Sequence, residues 1–192
     1  IGKRFINYAS KKFNNFSVQA NAPFDMSNVG MDVMFGGVAP MSQYSFLMKD
    51  SQQKAHVLRI HSAGLAVGKY PVDNAEKILQ ATSVAFSGLY FHIYYAVDNE
   101  LYLLDVEKNS SKLIYTFPQG TDITTLTLKQ TVSSWVSFPD NNRTLAVGTY
   151  DQQEGKVYVF SIDNLGEFTN DTYSKLYEGL DKPISLVYKN RK

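Results

Sequence analysis

The chain has 192 residues, with 19 basic and 18 acidic side chains, 44% hydrophobic and 14% aromatic content. That length suits one domain with a true core, or one large piece of a bigger domain, and a formal charge of +1 with no Lys/Arg run excludes an electrostatic nucleic-acid binder. The absence of cysteine excludes a disulfide scaffold, a thiolate zinc site and a cysteine nucleophile.

The chain opens at Ile1 rather than Met, and residues 3–8 already alternate like a strand, so a mature protein or an excised piece is expected. No apolar run approaches the ~20 residues of a membrane helix; the longest, residues 89–97, is interrupted by His92. Three segments then share one layout of apolar strand, Asp, short polar turn and second apolar strand. They are 44–50 with 55–60, 91–98 with 101–106, and 145–151 with 157–162, and their turns start at Asp50, Asp98 and Asp151. Asp suits such turns because its carboxylate takes hydrogen bonds from nearby backbone amides. The recurrence, at roughly 45–55 residues, marks a repeat fold.

Further strands complete each unit: 31–35 before the first pair, 83–86 before the second, 123–128 before the third, then 113–117 and 173–177 after the second and third. Four antiparallel strands per unit, repeated, predict an all-β chain of β-propeller blades of the WD40 kind. Residues 101–106 and 157–162 are apolar on both faces, as strands covered on both sides are; a β-sandwich, the alternative, would alternate more cleanly. The expected units are 29–61, 82–118 and 121–178 of one propeller domain. Residues 183–189 read as one more first strand, contributing with 3–18 to a further blade, so that about four units are visible. Either those segments close a four-bladed ring, or the chain is part of a larger one, whose bare faces would self-associate. Between the first two units a short helix over 74–80, capped by Asp73, is expected.

Little points to chemistry. His56 and His61 lie five apart in an extended stretch and face opposite sides, and His92 reads as a packed core histidine. Asp98-Asn99-Glu100 and Asp140-Asn141-Asn142 read as turns rather than calcium ligands, and Gly36-Gly37, Gly64 and Gly68 as turn glycines. No zincin helix, calcium loop, P-loop or nucleophile elbow occurs. Neither a metal nor a cofactor is expected, nor is enzymatic activity; a propeller-type hydrolase or lyase would need carboxylates meeting from distant blades. Four Asn-x-Ser/Thr triplets, at Asn15, Asn109, Asn142 and Asn170, mark surface turns. For ligand binding the candidates are Trp135 and Phe138, in the polar insertion 130–143, because loop-borne aromatics stack on sugars or partner surfaces. Covering the outer side of a blade is the other role open to them.

From Phe24 onward the chain resembles the C-terminal propeller region of the PKD-like family of exported lipoproteins of gut anaerobes. Residues 94–105, 117–124 and 145–151 carry the resemblance, with 177–180 leading into 184–189. The resemblance implies a C-terminal propeller preceded by sandwich modules and held at the outer membrane or cell surface by a lipid on an upstream cysteine. It brings no catalytic residues. The function expected is a non-enzymatic extracytoplasmic binding or scaffolding module with a protein or polysaccharide partner; a purely structural spacer is the alternative.

Overall fold

A computed structural model describes residues 31–39, 43–61, 67–73, 75–87, 92–129, 143–163 and 165–187. These residues form three four-stranded sheets. The first contains β1 (Met31–Ala39), β2 (Gln43–Asp50), β3 (Ala55–His61) and β4 (Val67–Val72). The second contains β5 (Ser83–Phe86), β6 (His92–Val97), β7 (Glu100–Asp105) and β8 (Ser110–Thr116). The third contains β9 (Asp122–Lys129), β10 (Arg143–Tyr150), β11 (Gly155–Ile162) and β12 (Lys175–Leu180). Every ladder is antiparallel and joins chain neighbours, which is the meander of a propeller blade. The fold is therefore the all-β, blade-built class that the repeat predicted. Two compact units divide the chain, Ile1–Asp73 holding the first sheet and Asn74–Lys192 the second and third.

In the first sheet, consecutive residues Phe46, Leu47 and Met48 of β2 are buried, as are Val57 and Leu58 of β3, so both faces of these strands are covered. Two expectations need correction here. The unit runs past residue 61 to a fourth strand, β4, whose Gly68 reads as a turn residue in the sequence. Pro71 is tolerated because, among the described residues, β4 pairs only with β3 and leaves its other edge unladdered. Gly36 and Gly37 likewise sit within β1, opposite Phe46 and Ser45. Gly36 is needed there, since a Cβ would lie 2.9 Å from Phe46 Cδ1.

In the second unit the core lies between the facing sheets. Tyr94, Ala96, Leu101 and Leu103 of the second sheet meet Leu126, Leu145, Val147 and Phe160 of the third. Tyr115, Phe117, Tyr158, Phe160 and Phe168 extend this core as an aromatic cluster, with Phe160 and Phe168 stacked at 4.3 Å. The second sheet is buried on its other face as well, through Ile93, Tyr95, Val97 and Leu104. Double coverage thus holds for β7. In β11 it holds less fully: Phe160 and Ile162 are buried in the core, whereas Val159 and Ser161 on the opposite face are only half-buried.

Two other elements depart from the reading. The connector is a 3-10 turn, Glu76–Gln80, with Ala75 rather than Asp73 at its N-cap and no side-chain cap bond. Burial of Ala75 and Ile78 anchors these few residues in place of capping. The last strand, β12, starts at Lys175 because Asp163 first draws the chain into a turn, its Oδ1 accepting the Leu165 and Glu167 amides at 2.8 Å each. Tyr173 is left to pack edge-on against Tyr158.

Candidate binding site

The Asp-led turns are built as expected. Asp50 Oδ1 accepts the Gln52 and Lys54 amides at 2.9 Å, and Asp151 Oδ1 accepts those of Gln153 and Glu154. Asp98 instead opens a two-residue hairpin with φ +52, and Asn99 Nδ2 donates to the Phe117 carbonyl at 2.7 Å. Glu100, beside it, accepts from Lys77 Nζ and from the Tyr102 hydroxyl, and the Lys77 bond holds its carboxyl below the usual range. This triplet makes turns and surface pairs. Asp140-Asn141-Asn142 lies outside the described residues, as do Asn15 and Gly64; Asn109 and Asn170 both sit in turns or bends, Asn109 with φ +49.

His56 is tied to Asp50 by a 2.8 Å Nε2–Oδ2 contact, which is the main cause of the lowered Asp50 pKa. The side chain of His61 lies outside the described residues. His92 is buried in β6, with Asp105 Oδ2 3.8 Å from its Nε2, and burial lowers its pKa. Around it the Tyr94 hydroxyl donates to the Gly166 carbonyl at 2.9 Å, and Arg143 Nη2 donates to the Asp163 carbonyl at 3.2 Å. This buried polar cluster fastens the 163–168 turn onto the second sheet. Among the described residues no group of three His, Asp or Glu side chains gathers as a metal site would need.

What remains is the outer face of the third sheet. Alternation sends Leu126, Leu145, Val147 and Phe160 to the core, and turns Thr127, Thr144, Ala146, Val157 and Val159 the other way. That second set floors a groove of about 540 Å³, bordered by Lys175 and Tyr177 of β12 on one side and by Leu186 and Val187 on the other. Among the described residues, two lysines, Lys129 and Lys175, and no carboxylate line it.

Residues 181–187 make that second border by crossing back over the sheet. They pass so close to β11 and β10 that glycine is required at both crossings. A Cβ on Gly155 would collide with the Asp181 carbonyl, and one on Gly148 would lie 2.6 Å from Thr125 Cγ2 and 3.0 Å from Pro183 Cβ. At β9 the Thr124 hydroxyl donates to the Pro183 carbonyl and the Thr127 hydroxyl to that of Leu186. Residues 183–187, expected as a first strand, thus lie where one would start, but they join no ladder among the described residues.

Trp135 and Phe138 lie outside the described residues. The insertion that carries them joins β9 to β10 between Lys129 and Thr144, both of which line the groove. The groove itself was missed in the sequence, because Val157, Val159 and Ser161 were read as one covered flank of an apolar strand. The available signal was the set of small or hydroxylated residues at alternate positions, Thr127, Thr144, Ala146 and Ser161.

No protein-family model matches the chain, and no curated protein matches it. Two solved structures match the chain at low similarity. The WD40 domain of SCAP from fission yeast is 12% identical with a TM-score of 0.43, over 77% of this chain and 39% of that one. The C-terminal domain of Bacillus megaterium YpeB is 8% identical with a TM-score of 0.20, over 94% of this chain and 99% of that one. This chain therefore spans about two fifths of the length of the WD40 domain.

Proposed function

We propose that this chain is a non-enzymatic binding or scaffolding module and that it engages its partner, a protein or a polysaccharide, through the outer face of the third sheet. The observation that carries this reading is the groove on that face. It combines a floor that includes Ala146, Val157 and Val159, bordering lysines and an apolar side chain left in solvent, Val187 at 88% exposure. Apolar surface of this kind, rimmed by polar groups, is what interaction sites present. The insertion with Trp135 and Phe138 starts and ends at the groove, which supports aromatic stacking as part of the same surface. The resemblance to exported PKD-like lipoproteins supports a place outside the cytoplasm, at the outer membrane or cell surface.

A glycan array and a pull-down from the native cell envelope, each run with the unaltered chain and with Ala146→Glu, test the reading. Capture that the glutamate abolishes is the expected result. Capture that survives the charge in the groove would move the site elsewhere, and failure of both screens would leave a structural spacer. Fractionation of the native cells checks location: a cytoplasmic pool alone would overturn the extracytoplasmic placement.

A further inference from the structure

In the second unit a buried titratable ring lies directly under a short turn. His92 belongs to β6, which is laddered on both sides by β5 and β7 and buried at all six residues. The backbone of Gly166 lies against the Nδ1 edge of its imidazole, so close that a Cβ there would fall 2.7 Å from Nδ1 and 3.2 Å from Cε1. Gly166 is itself buried, and its neighbour Leu165 is 67% exposed. The 163–168 turn is thus the layer between that edge of the ring and solvent. Among the described residues it is fastened by the Tyr94 hydroxyl on the Gly166 carbonyl, Arg143 Nη2 on the Asp163 carbonyl, the isolated bridge from Phe168 to Ile162, and the surface pair of Glu167 with Lys112.

A proton added to His92 brings a cation into this pocket, where the described carboxylates are already committed. Asp105 of β7 has Oδ2 3.8 Å from Nε2, but Lys108 holds it, with Nζ 2.9 Å from Oδ2 and the amide donating to Oδ1 at 3.0 Å. Asp163 Oδ1 accepts the Leu165 and Glu167 amides, and the Glu167 carboxylate faces Lys112. Arg143 of β10 and Lys108 share the sign of the added charge and disfavour it, whereas Asp105 and Asp163 favour it. Tyr94 stays neutral, since burial pushes its pKa up. Burying a charge without a counter-ion to itself is costly, and burial is the largest cause that lowers the His92 pKa from 6.5.

We infer that the 163–168 turn is an acid-opened flap, which lifts from β6 when His92 is protonated while the sheets stay folded. The turn yields first because lifting it lets water reach the ring for the loss of a few contacts, whereas moving β6 would break two ladders. Opening also takes Phe168 off its 4.3 Å stack on Phe160, so acid uncovers the edge of the aromatic cluster. The closed flap is fully favoured above pH 6.5 and loses that advantage as the pH falls below it.

Hydrogen exchange of the whole chain, read by NMR at pH 7.5 and 5.0 and corrected for the intrinsic pH dependence of exchange, tests this. The Gly166, Glu167 and Thr169 amides, bonded to Asp163 and Ser161, are expected to lose about tenfold in protection at pH 5.0. Their exchange should stay insensitive to sub-denaturing urea, as a local opening does, while that of β6 and β10 speeds up with urea. His92→Gln, neutral at both pH values, is expected to abolish the acid loss in the turn. The inference is overturned if protection of the turn is the same at both pH values, or if it responds to urea as β6 does, which would make His92 a determinant of global stability alone. It is overturned equally if His92→Gln keeps the acid loss, which would assign the effect to the Asp163 carboxylate. Should that variant not fold, the unaltered chain still decides: the loss must share its midpoint with the titration of the His92 ring signal, and a different midpoint overturns the flap.

Discussion

At the residue scale the side chains with the largest consequences are the buried polar ones around His92. Burial holds its imidazole below the usual 6.5; Asp105 opposes that effect, while Arg143 and Lys108 add to it. The folded chain therefore binds this proton more weakly than the unfolded chain does. The contribution is at its full value above pH 6.5 and declines as the pH drops below it toward the folded-state value. Urea unfolding at pH 7.5 and 5.5 should show a lower midpoint at the acid pH, and His92→Gln should shrink the difference. A midpoint unchanged between the two pH values would refute this assignment. Tyr94→Phe removes the hydroxyl bonded to the Gly166 carbonyl and should cost about 1 kcal/mol by the same assay. Gly166→Ala should cost more, about 1–3 kcal/mol, because Gly166 has φ +81 and a Cβ there would lie 2.7 Å from His92 Nδ1.

At the element scale the returning segment 181–187 gives the sharpest prediction. Gly155→Ala should lift residues 181–183 off β11, seen as faster proteolysis and exchange in that stretch while the buried strands keep their protection. Unchanged cleavage there would show that the segment is held by its threonine bonds alone. The elements also show what a sequence displays and what it conceals. The strand β5 (Ser83–Phe86) was legible to the residue, and β7 nearly so, because their apolar runs are bounded by turn-forming residues, Ser87-Gly88 after β5 and Asp98-Asn99 before β7. Glycine misled the reading of β1 and β4, since it also occurs at sheet edges and at close approaches of neighbouring side chains, which a single sequence does not separate from turns. The groove was concealed for another reason. Whether the flank of Val157 and Val159 is covered depends on what lies across from it, a long-range fact absent from local pattern. The aromatic candidates Trp135 and Phe138 were singled out on composition alone, and only the ends of their insertion are placed.

At the scale of the whole molecule, stability is distributed unevenly. All six residues of β6 are buried, whereas in β12 only Leu176 is even half-buried. Native-state hydrogen exchange should therefore find the amides of β6 and β10 opening only with global unfolding, and those of β12 exchanging through local fraying. Uniform protection across the third sheet would contradict this gradient. Leu145→Ala, at a fully buried position between the two sheets, should cost about 2–5 kcal/mol. The surface pairs matter far less: Lys77–Glu100 and Lys112–Glu167 are half in solvent, so salt should leave the unfolding midpoint nearly unmoved.

The hydroxyl contacts between successive inner strands also bear on how such a chain is made. Thr82 and Ser83 dock the backbone of β9, and Thr124 and Thr127 dock that of 183–187, so each length of chain finds its landing place on one already synthesised. Emerging from a ribosome, the polypeptide can settle these two lengths on strands made before them, and at these contacts biogenesis and architecture run in the same direction.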